Sequence, residues 1–181
     1  MKLSVVIPFY NEENMIQKMY DELVKEINQI TKAEFEIIFI NDGSKDRTFE
    51  RMLAIAAGDS RVKYISFSRN FGKEAGTIAG LEYATGEAVI LMDGDLQHPP
   101  ALLPQMIKAY EEGYDVVSAR RTRTGEKPHR TFLAKHFYRL ANKMMDIELM
   151  DGVSEFRLFS RKAVRAILSL QEYNRFSKGI F

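Results

Sequence analysis

Residues 88–100 read AVILMDGDLQHPP. Five apolar residues run directly into two aspartates one residue apart, Asp93 and Asp95, followed by Gln97, His98 and a double proline. The run has no polar alternation and stops too soon for a helix, so it predicts a strand buried on both faces. Such strands belong to parallel sheets covered by helices. In open sheets of that kind, ligands bind beyond the carboxyl ends of the strands. Two carboxylates at the end of this strand therefore predict a site.

The flanking sequence has the same alternation. LSVVIPF (3–9), FEIIFIN (35–41), VKYISFS (62–68) and DVVSAR (115–120) predict strands, and EFRLFS (155–160) predicts another. Helical patterns separate them. NEENMIQKMYDELVKEINQI (11–30) carries Met15, Met19, Leu23, Ile27 and Ile30 at three- and four-residue spacing. A second helix, capped by Ser44 or Asp46, runs to Ala57 with Gly58 just past its end. A third spans 72–86, and a fourth opens at Pro100 and ends near Gly113. RKAVRAILSL follows the last strand as a further helix. The expected fold is α/β: a Rossmann-like three-layer α/β/α arrangement around a mostly parallel central sheet. No internal repeat or interdomain linker is visible, so one domain is expected over 1–181.

The chain has 181 residues and no cysteine, which excludes a disulfide framework and thiolate chemistry. Lys2 precedes only a short apolar run, ended by Pro8 and Asn11, so no signal peptide is expected. No apolar segment approaches the roughly 20 residues that span a bilayer. The net charge of +1 hides an asymmetry. Residues 1–119 hold 12 Lys/Arg and 19 Asp/Glu, a net of −7, whereas 120–181 hold 14 and 6, a net of +8. Between 120 and 143, eight basic residues face one acidic residue, Glu126. A block of this kind suits a polyanionic partner, a phosphate, a nucleic acid or an anionic membrane, and equally a solvated surface. TFLAKHFYRLANKMM (131–145) is a basic amphipathic pattern, which suits either a core-packed surface helix or one lying in a membrane interface.

Asp-x-Asp at a strand end can hold a divalent cation through hard oxygen ligands, Mg²⁺ typically keeping one or two carboxylates, waters and substrate phosphates. Without a cation the two carboxylates would repel. Gln97 offers an amide oxygen, and His98 a nitrogen better suited to Mn²⁺. The same residues also fit an ordinary turn. At the first strand end, PFYNEE (8–13) places Asn11 as a helix cap with Glu12 and Glu13 in the first turn. At the second, NDGSKD (41–46) places Asp42 where an acidic residue binds a ribose hydroxyl or a base in nucleotide-binding sheets. At the third, SRNFGKEAG (68–76) brings Arg69 and Lys73, with Gly72 where backbone can approach a phosphate; Gly76 and Gly80 suit close helix–sheet packing. No GxxxxGK[ST] loop is present.

Read together, PFYNEE, NDGSKDRT, SRNFGKEAG, MDGDLQHPP, FRLFSR and NRFSKGIF resemble the family-two glycosyltransferases, and among them the polyprenyl-phosphate group of bactoprenyl-phosphate glucosyltransferases and dolichyl-phosphate mannose synthases. The resemblance covers nearly the whole chain, in order. It implies a GT-A fold, a nucleotide-sugar donor and a Mg²⁺ or Mn²⁺ ion on Asp93 and Asp95, with Gln97 as a further ligand. Pro8, Glu12 and Asp42 match positions that contact the nucleoside, and Tyr10, Lys73 and Asp93 join them as the expected nucleotide-binding set. Asp95 and Glu155 are the expected catalytic residues. Relatives commonly carry Asp in a GDFRL segment where this chain has Glu155 in VSEFRL; Asp151 is a nearby alternative.

The implied reaction is inverting transfer of a sugar to a polyprenyl phosphate at the cytoplasmic face of a membrane, the sugar read as glucose with mannose, a hexosamine or aminoarabinose as alternatives, and the donor read as a UDP-sugar with a GDP-sugar as the alternative. Residues 1–119 would form the donor and metal half, and 120–181 the acceptor and membrane-surface half. Arg120, Arg121, Arg123, Arg130, Arg157, Arg175 and Lys178 are the expected contacts to the acceptor phosphate, since guanidinium forks match phosphate. Members of the glucosyltransferase type continue into transmembrane helices, expected beyond Phe181. Three alternatives stand beside this reading: a soluble glycan or protein acceptor, a nucleotide-sugar-binding module without transfer, and nucleic-acid binding. The acidic first half and the lack of aromatic-interleaved basic motifs argue against the last. A homo-oligomer is left open.

Overall fold

The computed structural model describes residues 1–120 and 153–170. The strands are β1 (Lys2–Phe9), β2 (Glu34–Asn41), β3 (Val62–Ser66), β4 (Ala88–Leu91), β5 (Val116–Arg120) and β6 (Val153–Ser160). The helices are α1 (Ile16–Ile27), α2 (Thr48–Gly58), α3 (Lys73–Tyr83), α4 (Leu103–Glu111, led in by a 3₁₀ turn at Pro100–Leu102) and α5 (Arg161–Ser169). The sheet order is β3-β2-β1-β4-β6-β5. β1 to β4 run parallel, and β6 runs antiparallel between β4 and β5. The expected α/β architecture and mostly parallel sheet are present. The antiparallel insertion of β6 beside β4 has no local signal in the sequence.

The strand residues alternate between two helical layers. Leu3, Val5, Ile7 and Phe9 pack with α1, α2 and α4, while Val6, Ile38, Ile40, Val89 and Leu91 pack with α3 and α5. Both faces of β1 are therefore dry, which is why its sequence reads as an unbroken apolar run. α1 buries Ile16, Met19, Leu23 and Ile27, one stripe at three- and four-residue spacing. Deleting one such buried side chain, as in Leu23→Ala, would cost about 2–5 kcal/mol. On the other face, a Cβ on Gly80 would lie 2.2 Å from Val6 Cγ1, so α3 sits closer to β1 than any larger residue allows.

Two helix starts differ from the sequence reading. α1 begins at Ile16 rather than Asn11, and α2 begins at Thr48 with no side-chain cap on its N-cap residue, Arg47. The groups expected as caps are used between loops instead. The Asn11 and Glu12 amides donate to Ser44 Oγ and Thr48 Oγ1, and the Glu13 amide donates to Asp46 Oδ2. In return the Lys45 and Arg47 amides donate to Asn11 Oδ1 and Glu13 Oε2. These bonds lace the β1–α1 loop to the β2–α2 loop. Asp46 retains part of its expected role by also accepting from the Thr48 amide.

The helical pattern at 131–145, and the calls on Arg121, Arg123, Arg130, Arg175 and Lys178, lie outside the described residues. Among the described residues, no helix is long and apolar enough to cross a membrane.

Candidate active site

The sheet order reverses direction between β1 and β4, and the loops leaving their carboxyl ends frame a cleft of about 290 Å³. Its lining is Pro8, Phe9, Tyr10, Glu12, Asp42, Asn70, Gly72, Lys73, Asp93, Gly94 and Asp95. Open α/β sheets bind ligands at such a switch point. All six residues expected to bind nucleotide (Pro8, Tyr10, Glu12, Asp42, Lys73 and Asp93) line this one cleft, as does Asp95. They come from four strand ends that are distant in sequence.

Each loop is shaped for its position. Asn11 and Leu96 are the described non-glycine residues with positive φ, at 54° and 57°, and they stand in the loops after β1 and β4. Such backbone persists where surrounding contacts over-determine it, often at functional sites. The Gln97 amide donates to Asp95 Oδ1, which closes the turn around Leu96. Gly94 lies over Phe9: a Cβ there would stand 2.4 Å from the Phe9 ring. The residue between the two aspartates must therefore be glycine for this packing.

Asp42 is 3% exposed, and both its carboxylate oxygens are engaged. The Phe71 amide donates to Oδ1 at 2.7 Å and the Gly72 amide to Oδ2 at 3.0 Å. Asp42 thus ties the β3–α3 loop to the end of β2, a role that its position in NDGSKD did not reveal. Phe71 itself is half exposed under the Arg69 guanidinium, 4.2 Å from the ring centre.

Lys73, the first residue of α3, reaches across the cleft floor. Its ammonium contacts Asp93 Oδ1 and Glu155 Oε2. Burial pushes this ammonium down, but hydrogen bonds and charge from the two carboxylates more than offset it, so it stays protonated above its ordinary range. Glu155 comes from β6. In the β4–β6 pairing Leu91 faces Arg157, and the same antiparallel register carried two residues onward sets Glu155 across from Asp93. Glu155 is thereby joined to the cleft through Lys73, although it is not part of the lining.

Gln97 is exposed and outside the lining, and His98 stands beside Phe156 at 6.2 Å between ring centres. Arg120 is exposed at the end of β5, at the same end of the sheet as Asp93. Arg157 is 3% exposed within β6, its Nε donating to the Ser154 carbonyl. Burial holds its guanidinium below the ordinary range, against the opposing charge of Glu155. Asn70 also lines the cleft; it lies in the SRNFGKEAG stretch, where no pattern singled it out.

Among the described residues, four carboxylates (Glu12, Asp42, Asp93 and Asp95) line the cleft against one ammonium. Burial, then the charges of Asp95 and Asp46, push the Glu12 carboxyl above its ordinary range. A surplus of hard oxygen donors of this kind fits a hard divalent cation. Among the described residues, no three acidic, His or Cys side chains form a complete metal cage. The donor set suits Mg²⁺ or Mn²⁺ held by two carboxylates, with substrate and water completing the shell.

The fold is of the GT-A type, and comparison with known proteins gives its family. Residues 4–168 match glycosyl transferase family 2, and the chain belongs to that family. It is 53% identical over 179 residues to the putative glycosyltransferase CsbB of Bacillus subtilis, covering 99% of this chain and 54% of that protein. It is 42% identical over 181 residues to a prophage bactoprenol glucosyl transferase homolog of Escherichia coli, covering 99% of this chain and 59% of that one. The chain thus spans little more than half the length of these curated relatives. A mannosyltransferase from Pyrobaculum calidifontis, solved with GDP-Man and Mn²⁺, superposes with a TM-score of 0.65 at 21% identity, over 91% of this chain and 46% of that one. Glucosyl-3-phosphoglycerate synthase from Mycobacterium tuberculosis, solved with Mn²⁺, UDP and glucosyl-3-phosphoglycerate, superposes at 0.56 and 24% identity, over 90% and 57%. These two likenesses bear on the fold.

Proposed function

We propose that the chain is the catalytic domain of an inverting glycosyltransferase that moves a sugar from a nucleoside-diphosphate sugar to a polyprenyl phosphate at the cytoplasmic face of a membrane. The observation that carries this reading is the convergence of Glu12, Asp42, Lys73, Asp93 and Asp95 on one cleft at the β1/β4 switch point. The names of the bactoprenol-type relatives support the acceptor class, and UDP-glucose is the proposed donor.

Tyr10 and Pro8 form the wall against which the nucleoside would rest, with Glu12 and Asp42 at its polar edge. Asp93 and Asp95 would hold Mg²⁺ or Mn²⁺, which when bound neutralises the charge that builds on the diphosphate leaving group. An oxygen of the acceptor phosphate attacks the anomeric carbon while the bond from that carbon to the diphosphate oxygen breaks, and the nucleoside diphosphate departs. A phosphate monoester has its second pKa near 6, so at neutral pH the nucleophile is already mostly ionised. No strong general base is required. Glu155, which meets the Lys73 ammonium in this structure, orients sugar or acceptor instead. Arg120 opens the basic segment that would carry the acceptor phosphate to this end of the sheet. Arg157, buried in β6, would support that end from within.

The test is transfer of labelled glucose from UDP-glucose into an organic-extractable product, with polyprenyl phosphate in anionic vesicles and Mn²⁺ present. Metal-dependent labelling of the lipid is expected. Labelling only of a soluble glycan or protein would overturn the acceptor assignment, and efficient use of GDP-mannose in place of UDP-glucose would overturn the donor assignment.

A further inference from the structure

Lys73 is placed against local preference. It is the first residue of α3, where the helix dipole disfavours a cation. Its ammonium is nonetheless seated on Asp93 from β4 and on Glu155 from β6. The position is fixed from behind, because Asp42 holds the Phe71 and Gly72 amides immediately before it. Lys73 also shares the cleft wall with Gly72 and Asn70, where a diphosphate would pass.

A cation entering this cleft competes with the ammonium for Asp93. A bound diphosphate offers that ammonium another anionic partner. We propose that Lys73 is an exchangeable internal counter-ion: it holds Asp93 and Glu155 together, yields Asp93 to a divalent cation, and transfers to the donor's diphosphate, so that metal and nucleotide bind cooperatively through it. This rests on the donor-site reading above and adds a role for a residue otherwise placed only as a nucleotide contact. Glu155 is released in the same exchange, which ties readiness of the acceptor side to arrival of the donor. In this scheme Lys73 meets the donor's diphosphate directly and also positions Asp93 and Glu155.

The scheme is a coupling between two ligands and is therefore reciprocal. The experiment is a titration of the chain with MnCl₂ followed by electron paramagnetic resonance, with and without UDP, in wild type, Lys73→Met and Lys73→Arg. Wild type is expected to bind Mn²⁺ weakly alone and more tightly with UDP. In Lys73→Met, Mn²⁺ alone should bind roughly tenfold more tightly and the gain from UDP should shrink by a similar factor, within the ordinary range of coupling between sites. Lys73→Arg, which keeps the charge, should retain most of the coupling. Unchanged or weaker Mn²⁺ binding in Lys73→Met, with UDP coupling intact, overturns the exchange while leaving the donor site standing. Absence of Mn²⁺ binding by wild type with UDP present overturns both. The wild-type protein gives an independent check: the Lys73 Nζ resonance should shift on addition of MgCl₂ with UDP, and a resonance that does not move overturns the proposal.

Discussion

Two carboxylate–lysine clusters stand at opposite ends of the same sheet, and they are built differently. At the amino end, Glu36 is 3% exposed. It accepts from Ser4 Oγ at 2.6 Å, from the Thr85 amide at 2.6 Å, from Thr85 Oγ1 at 2.8 Å and from Lys63 Nζ at 2.8 Å, with Lys2 Nζ at 3.4 Å. Burial alone would raise its pKa, but these donors hold it far below the ordinary carboxylate range. Every acceptor site on that carboxylate has a partner, and the two ammonium groups stay near solvent. At the carboxyl end, four carboxylates share a cleft with Lys73, and Glu12 is pushed the other way. One cluster is satisfied within the protein and ties β1, β2, β3 and the turn before β4 together. The other carries more negative charge than the described residues balance, which is the condition for recruiting a cation.

That contrast is open to direct attack. The largest effect is expected from Asp95→Asn, which should lower sugar transfer about a thousandfold, the several kcal/mol a bound cation supplies. Its melting temperature should stay within about 2 °C of wild type, since the change relieves rather than creates charge crowding. A variant retaining more than a tenth of the activity would break the functional side of the comparison.

Glu36→Gln should do the reverse. Unfolding in urea should show a loss of about 2–3 kcal/mol, the scale of hydrogen bonds to a charged group, with transfer per folded molecule unchanged. The pH dependence has a definite sign. Because the folded-state pKa is depressed, the Glu36 contribution is complete above its unfolded value near 4.3 and is lost as pH falls below that value. Wild type should therefore lose stability between about pH 5 and 3 more steeply than Glu36→Gln. Parallel acid limbs in the two proteins would contradict the assignment.

Asp42→Ala sharpens the boundary between the two kinds of cluster, because Asp42 is both part of the cleft and a tie between loops. Removing the acceptor of two amides should cost about 2 kcal/mol and weaken UDP binding, read by urea unfolding and calorimetry. Loss of stability without loss of affinity would place Asp42 with Glu36. The smallest effect is expected from Gly94→Ala, about 1–2 kcal/mol as Phe9 and the loop shift, with weaker metal-dependent nucleotide binding.

Much of this was legible in the sequence because it rests on local pattern. The unbroken apolar runs of β1, β2 and β4 mark strands buried on both faces, and their ends mark the cleft. AVILM running into Asp93 and Asp95 was sufficient to place the site. What was not legible depends on long-range pairing. Asn11, Glu12 and Glu13 suit a helix start, but their hydrogen bonds go to the β2–α2 loop, and Asn11 takes a left-handed backbone instead. Asp42 looked like a ligand group, and its bonds to the Phe71 and Gly72 amides needed the β3–α3 loop to be folded beside it. No local pattern marks Glu155, which only the family resemblance singles out. The structure gives the physical reason for its position: β6 pairs antiparallel with β4, and that register delivers Glu155 to Lys73.

The central claim is that the cleft at the β1/β4 switch is a metal-dependent nucleotide site. It is tested most directly by calorimetric titration of the chain with UDP, with and without MnCl₂, in wild type and Asp95→Asn. The account predicts UDP binding in wild type that strengthens at least tenfold with Mn²⁺, and no such gain in Asp95→Asn. UDP binding that is indifferent to Mn²⁺, or equally metal-dependent in Asp95→Asn, would contradict it.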